Sequence, residues 1–194
     1  MKKFWLVVFL FSVLSNPALA QNNVEILLKN NTQKEIQTKK QLQDILSRYK
    51  LSKWIFTQKV MIDEQERIPH SHPVLTLNTR YTDDDLRLLS TFVHEQIHWH
   101  EENNAERRDK AIKDLESAFP VIPKNSPEAA RDTNSTYLHL IVCYLEYEAM
   151  KELTGAEKAR EIMQSWTHYT WIYKTVLNET EKIKAIVEKH KLMI

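Results

Sequence analysis

The stretch from Thr82 to Asn104 constrains this chain more than any other, because it predicts a single amphipathic helix. Four apolar residues recur along it at helical spacing: Leu86, Leu89, Val93 and Ile97. Such a stripe packs against a hydrophobic core. Thr82 and Asp85 have the spacing of a capping box, and the acidic residues 83–85 suit the positive end of the helix dipole. We therefore expect a core-packed helix that begins near Thr82.

The centre of this helix reads His94-Glu95-Gln96-Ile97-His98, an H-E-x-x-H motif. Residues four apart lie on one helical face, so His94 and His98 can offer two imidazole nitrogens to one metal ion. Glu95 is turned roughly 100° away from His94, which suits a general base acting on metal-activated water better than a ligand. The alternative is a solvated helix face that carries two unrelated histidines.

A third metal ligand is sought on a second predicted helix, which runs from about Asp132 or Thr133 to Thr154. A catalytic zinc ion usually has three protein ligands and one water. Glu146 lies among apolar neighbours on its face of this helix, where a carboxylate is costly unless a cation accompanies it. Glu148 falls on an ordinary exposed face instead. The sequence therefore favours Glu146 as the third ligand.

Two more residues share the helical face of Glu146. His139 lies seven residues earlier, about 10.5 Å along the axis. It could bind substrate, orient a ligand, replace Glu146 as the third ligand if the helices cross differently, or be an ordinary core histidine. Cys143 is most simply a small buried apolar residue. As the single cysteine of the chain, it excludes an intramolecular disulfide.

These residues give the chain a resemblance to the gluzincin-type zinc metallopeptidases of the zincin fold. The resemblance covers roughly residues 35 to 155 and is architectural outside the four motif positions. It implies that His94, His98 and Glu146 bind one zinc ion per chain. It also implies that Glu95 is the general base in the hydrolysis of peptide or related amide bonds. Met150 departs from the pattern, since gluzincins often have an acidic residue four positions after the third ligand.

An aromatic cluster in the C-terminal region adds catalytic candidates. Residues 166–173 hold four aromatic side chains and one histidine. Zinc peptidases need a donor for the oxyanion of the tetrahedral intermediate, and His168, Tyr169 or Tyr173 could supply it. We take His168 and Tyr169 as candidates, while packing in the core is the other interpretation of an aromatic stripe. His70 and His72 could also bind metal, but they read as exposed loop histidines.

The remaining pattern predicts an α+β fold in which a small antiparallel or mixed sheet packs on the motif helix. Residues 33–49 carry a weak helical stripe. Residues 52–62 and 73–79 are rich in β-branched or aromatic residues and predict two strands. A third short strand is expected near residues 24–28 or 66–70.

The C-terminal half is expected to be mostly helical. The motif helix continues through Leu115 until prolines at positions 120, 123 and 127 end it. Gly155 is the residue expected to end the second helix in a left-handed conformation. Thr154 and Glu157 then have capping-box spacing for a last helical stretch, which runs to the chain end with an interruption near Asn178.

The first 20 residues read as a secretory signal peptide. Lys2 and Lys3 precede an apolar segment, and residues 18–20 form a small-x-small cleavage site that would leave Gln21 as the mature N-terminus. Residues 21–194 then form one exported domain, periplasmic or secreted. No later apolar stretch is long enough to span a bilayer.

The charge balance narrows the range of partners. Of the 27 basic residues, 25 remain without Lys2 and Lys3, against 26 acidic residues. This balance gives no reason to expect nucleic acid or an anionic membrane as a partner. A peptide or protein substrate is expected, and the oligomeric state is not set by the sequence. Two other functions fit the residues: a zinc-binding envelope protein without peptidase activity, and a helical interaction protein with a chance motif.

Overall fold

The computed structural model of the protein describes residues 24–194, so the predicted signal peptide of residues 1–20 lies outside the described part. The described chain is α+β, and its C-terminal half is helical, as predicted. Its elements in chain order are β1 (Glu25–Leu28), α1 (Gln33–Arg48), β2 (Lys59–Ile62), β3 (Leu75–Leu77), α2 (Asp85–Asn103), α3 (Ala105–Ala118), α4 (Thr133–Thr154), α5 (Ala156–Ser165), α6 (Thr170–Asn178) and α7 (Thr180–Lys189).

The three strands form a parallel sheet in the order β1-β2-β3, so the prediction of an antiparallel or mixed sheet is wrong. Val60 lies opposite Ile26 on one side and Leu75 on the other. Helix α1 connects β1 to β2, and a long loop connects β2 to β3. Such crossovers allow parallel pairing, whereas a tight hairpin would impose the antiparallel direction. The third strand expected near residues 24–28 is confirmed as β1.

Helix α2 is buried along the predicted stripe, since Leu89, Val93 and Ile97 have no solvent exposure. Its cap differs from the prediction. Asp84 is the capping residue, and its side chain accepts a hydrogen bond from the backbone N–H of Arg87 at 3.1 Å. The Thr82 hydroxyl donates instead to the carbonyl of Thr79 in the preceding turn. The predicted Thr82–Asp85 capping box is therefore wrong.

Two predicted continuous helical stretches are broken in the structure. Asn104 separates α2 from α3, and its side-chain amide donates to the carbonyl of His100 at 2.9 Å. The last stretch is interrupted near Asn178, between α6 and α7, as expected, but it is also broken at residues 166–169, where Tyr169 has a φ of +53°. Tyr169 is thereby placed on a turn between α5 and α6, next to the buried face of α4.

The junction of α4 and α5 confirms one expectation and corrects another. Gly155 has a φ of +91°, and its N–H donates to the carbonyl of Lys151 at 3.0 Å. Positive φ is what glycine permits at a helix end. The Thr154 hydroxyl donates back to Met150 at 2.7 Å, and Gly155 precedes α5 without a side-chain cap. The predicted Thr154–Glu157 capping box is therefore wrong.

Helix α4 is the centre of the molecule and packs against α2, α3, α5, α6 and α7. Thirteen of its residues are buried, among them His139, Cys143 and Glu146. The proline-rich segment that precedes it is irregular, as predicted, and docks on the start of α6. There the carbonyls of Pro127 and Glu128 accept backbone hydrogen bonds at 3.0 and 3.3 Å. No helix among residues 24–194 is long and apolar enough to cross a membrane.

Candidate metal centre

The packing of α2 on α4 brings three histidines together. The ring centroids of His94 and His98 are 5.1 Å apart, and those of His98 and His139 are also 5.1 Å apart. The rings of His94 and His139 lie 5.6 Å apart. One ligand nitrogen from each ring lies within 4.8 Å of the other two. Zinc holds imidazole nitrogens at about 2.0–2.1 Å, so small side-chain rotations let these three rings share one ion.

Two of these imidazoles have the protonation state that a metal requires. Burial, together with the neighbouring histidines His94 and His139, lowers the pKa of His98 well below its usual value. Burial and the neighbouring His94 lower the pKa of His139 to about 3. Metal ligands must be deprotonated, and both rings are neutral at pH 7. The Nδ1 of His139 lies 2.6 Å from the carbonyl of Ser135 and donates to it, which leaves Nε2 as an acceptor.

The third imidazole is oriented by a buried carboxylate. The Nδ1 of His94 lies 2.9 Å from Oε2 of Glu146. The hydroxyl of Tyr173 donates to the same Oε2 at 3.0 Å, and the hydroxyl of Ser90 donates to Oε1. Burial disfavours the charged form of His94, but its contacts with Cys143 and Glu146 outweigh that effect and raise its pKa well above the usual value. Because a metal ligand must be deprotonated, a metal would have to displace the proton that this raised pKa keeps on Nε2 of His94, the ring nitrogen that does not contact Glu146.

Glu146 therefore lies beside His94, and its carboxylate is not in the three-histidine group. It belongs to a second group, with His94 and Cys143, whose ligand atoms also lie within 4.8 Å of one another. Among residues 24–194, the expected set of His94, His98 and Glu146 does not form such a group. The side-chain contacts show why. Ser90 and His94 face Glu146, whereas His98 faces His139, two turns earlier on α4, so the two helices run antiparallel.

Glu95 is buried next to these groups, with 7% of its surface exposed. Burial raises its pKa to about 7; the charge of Glu146 acts in the same direction, and that of His94 opposes it. Its carboxylate has no hydrogen bond or ion pair to another side chain of the described part of the chain. A carboxylate with a pKa near 7 can accept and release a proton at neutral pH, as a general base must.

The two catalytic candidates from the aromatic cluster lie at different distances from the histidines. The ring of Tyr169 is 4.5 Å from that of His139 and 6.5 Å from that of His94, so Tyr169 borders the group. Its pKa is raised, chiefly by burial, so its hydroxyl stays protonated and can donate. His168 lies one layer farther out, with its ring 5.1 Å from the ring of Tyr169 and 6.2 Å from that of Tyr173.

Sequence reasoning missed Ser90 and assigned Tyr173 only a general role. Ser90 is fully buried and lies one helical turn before His94, in the middle of an apolar run. A hydroxyl at a core position needs a polar partner, and here that partner is the Glu146 carboxylate. The serine in an otherwise apolar run was the feature of the sequence that could have indicated this role. Tyr173 is also buried and lies opposite Ser90 across Glu146.

The remaining candidates lie outside the histidine group. The ring of His72 stacks on Trp99 at 4.2 Å, and its Nε2 contacts Glu102. His70 lies 3.6 Å from the carboxylate of Glu66. Glu148 forms an ion pair with Lys151 at 2.7 Å. These contacts are ordinary surface interactions, and they give the loop histidines and Glu148 no role at the centre.

The buried histidine group is thus a candidate metal centre, with the buried carboxyl group of Glu95 and the ring of Tyr169 beside it. Comparisons of the chain with protein-family models, with curated proteins and with solved structures found no match.

Proposed function

We propose that this protein is an exported zinc-dependent hydrolase that cleaves peptide or related amide bonds. The observation that carries the proposal is the meeting of His94, His98 and His139, with a ligand nitrogen of each within 4.8 Å of the others and Glu95 buried beside them. Two neutral imidazoles and a third that a carboxylate orients make a donor set that suits zinc. Bound zinc would supply a Lewis acid and lower the pKa of a water to about 7.

In this proposal His94, His98 and His139 are the ligands, and Glu146 orients His94 through Nδ1. Carboxylates that accept from a ligand histidine fix its tautomer and its ring direction. Glu146 is already satisfied by three donors, from Ser90, His94 and Tyr173, so its burial does not need a metal. The set of His94, Cys143 and Glu146 is the competing ligand assignment. In that assignment Glu146 would bind the metal and could no longer orient His94.

Two side chains carry the proposed proton and charge chemistry. Glu95 accepts a proton from the attacking water at its carboxylate and passes this proton to the leaving nitrogen. A pKa of about 7 suits this role. The Tyr169 hydroxyl, on the ring beside His139, donates to the oxygen that gains charge in the transition state. His168 does not contact the three histidines and is proposed to position Tyr169 through the contact between their rings.

A second candidate function is a zinc-binding envelope protein without peptidase activity. One observation favours it: His94, Glu95 and His139 have only 7–8% of their surface exposed, which restricts access for a polypeptide substrate. In that case the three ligands would stabilise the packing of α2 on α4 or hold a partner. Both candidate functions require bound zinc, and only the hydrolase would turn over a peptide substrate.

Two measurements test the proposal together. Zinc content of the purified protein should be near one ion per chain, and the zinc-loaded protein should cleave members of a broad peptide library. Zinc near one per chain without any cleavage would support the second candidate. A protein that binds no zinc would make the histidine group a chance arrangement and end both proposals.

A further inference from the structure

A cleft of about 330 Å³ lies between α5 and α6. Its walls combine apolar and cationic side chains: Met163, Trp166, Tyr173, Leu177, Arg160 and Lys174. A volume of this size is at the lower end of the range for small-molecule sites. Ligand sites are commonly apolar with a few placed polar groups, and this cleft has that composition.

The two cationic side chains of the cleft are not neutralised by a carboxylate of the described chain. Neither Arg160 nor Lys174 forms an ion pair within residues 24–194. The other cleft of the protein, about 410 Å³, contrasts with it. There Lys53 pairs with Glu152 at 2.6 Å, and Lys151 pairs with Glu148 at 2.7 Å. Only the cleft between α5 and α6, of these two, keeps positive charge for a ligand.

A buried hydrogen-bond donor in the same wall also lacks a partner. Trp166 is 6% exposed, and its indole N–H has no acceptor in the part of the chain that the structure describes. The indole ring is held in place by Tyr81 at 5.5 Å, His168 at 5.1 Å and Tyr173 at 6.3 Å. The nitrogen itself is enclosed by the protein, so the indole forms a fixed apolar part of the cleft wall, and its N–H signal reports on what binds beside it.

We infer that the cleft between α5 and α6 binds a small amphipathic carboxylate. Its carboxylate faces Arg160 and Lys174 and accepts hydrogen bonds from both side chains. Its apolar part packs on Met163, Leu177 and the ring of Tyr173. Arginine and lysine side chains are hydrogen-bond donors only, so they select an anion that accepts, and the apolar wall selects an organic acid over an inorganic ion. None of the three proposed metal ligands lines the cleft, so the binding is tested with and without zinc.

The experiment uses 3-phenylpropionate as the probe and 3-phenylpropan-1-ol as its uncharged counterpart. The readout is the NMR signal of the Trp166 indole N–H in the purified protein, assigned by its loss in Trp166→Phe. We expect 3-phenylpropionate to shift this signal saturably, and the alcohol to bind at least about tenfold more weakly, because it lacks the charge. Raising the salt concentration should weaken the binding of the acid alone.

Charge-removing variants give the matched comparison. The double variant Arg160→Gln/Lys174→Gln should raise the Kd for 3-phenylpropionate about tenfold or more, since it removes both cations. Lys53→Gln/Lys151→Gln removes two cations from the other cleft and should leave the Kd within about twofold. The inference is overturned if the Trp166 signal does not shift saturably, if the alcohol binds as well as the acid, or if the Arg160/Lys174 variant binds as wild type does.

Discussion

The Nδ1 of His94 donates to the carboxylate of Glu146 across 2.9 Å. Because Glu146 also accepts from Ser90 and Tyr173, this carboxylate is held by three side chains of α2 and α6. A histidine fixed in this way presents its other nitrogen, Nε2, in one direction. This hydrogen bond assigns Glu146 the role of orienting His94, as opposed to the role of a metal ligand.

Substitution of Glu146 by Gln should distinguish these roles. If Glu146 orients His94, the variant should keep zinc near one per chain and bind it about 10–100-fold more weakly, as is typical when such a partner is lost. His139→Ala removes a proposed ligand and should abolish stoichiometric binding. Competition with a chromophoric chelator measures both affinities. Glu148→Gln, on the partly exposed Lys151 ion pair, is the control. Retention of zinc in His139→Ala with its loss in Glu146→Gln would restore Glu146 as the third ligand.

Glu95→Gln should separate a hydrolase from a zinc protein without turnover. The substitution keeps the size of the side chain and removes its proton acceptor. Zinc should stay near one per chain, and kcat for a cleaved library peptide should fall by about 10²–10⁴-fold. Zinc content and turnover are measured on the same preparation. A variant that loses zinc together with activity would show that Glu95 is itself a ligand.

Tyr169→Phe should lower turnover without loss of metal. The ring of Tyr169 lies 4.5 Å from that of His139, and its hydroxyl is the proposed donor to the charged oxygen of the transition state. Loss of one such donor typically lowers kcat by about 10²–10³-fold. KM and zinc affinity should change little. Tyr173→Phe is the contrasting variant: it removes a donor to Glu146 and should therefore weaken zinc binding. Equal effects of the two variants on zinc affinity would contradict the separate roles.

Glu101 should make the stability of the protein depend on pH. This side chain is 1% exposed, both carboxylate oxygens lack a partner among residues 24–194, and burial raises its pKa to about 8. Its pKa is higher in the folded state than in the unfolded chain, so the folded protein binds the extra proton. The contribution of this bound proton to the free energy of unfolding is complete below about pH 4.5. It is lost as pH rises towards 8, at no more than about 1.4 kcal/mol per pH unit.

The measurement is the free energy of unfolding in urea at several pH values, for wild type and Glu101→Gln, with a chelator present throughout. The amide cannot ionise, so the advantage of the variant over wild type should grow between about pH 5 and 8 and then level off. A difference between the two proteins that does not vary with pH would mean that Glu101 titrates normally.

Val93→Asp should prevent the domain from folding stably. Val93 has no solvent exposure, and a buried unpaired charge costs roughly 3–5 kcal/mol, a large part of the stability of a domain. Val121→Asp is the matched control, because Val121 is 85% exposed in the proline-rich segment. Thermal unfolding and soluble yield are compared. Normal stability of Val93→Asp would mean that the buried face of α2 is assigned wrongly.

The sequence by itself determined the local features of this protein. Helical periodicity located α2 with its buried Leu89, Val93 and Ile97, and the permissive backbone of Gly155 marked the end of α4. These features depend on residues within one or two turns of each other, so a linear pattern contains them. The local pattern did not determine every cap. Asp84 rather than Thr82 caps α2, and the Thr82 hydroxyl is engaged by the carbonyl of Thr79 in the preceding turn.

Only the tertiary structure decided the relations between distant elements. Alternation of side chains is the same in parallel and antiparallel strands, so the direction of the sheet depended on the crossovers. The antiparallel crossing of α2 and α4 set His98 against His139 and left Glu146 beside His94, although the sequence had favoured Glu146 as the ligand. Helix crossing is set by how two whole surfaces pack. No spacing within one helix contains that information.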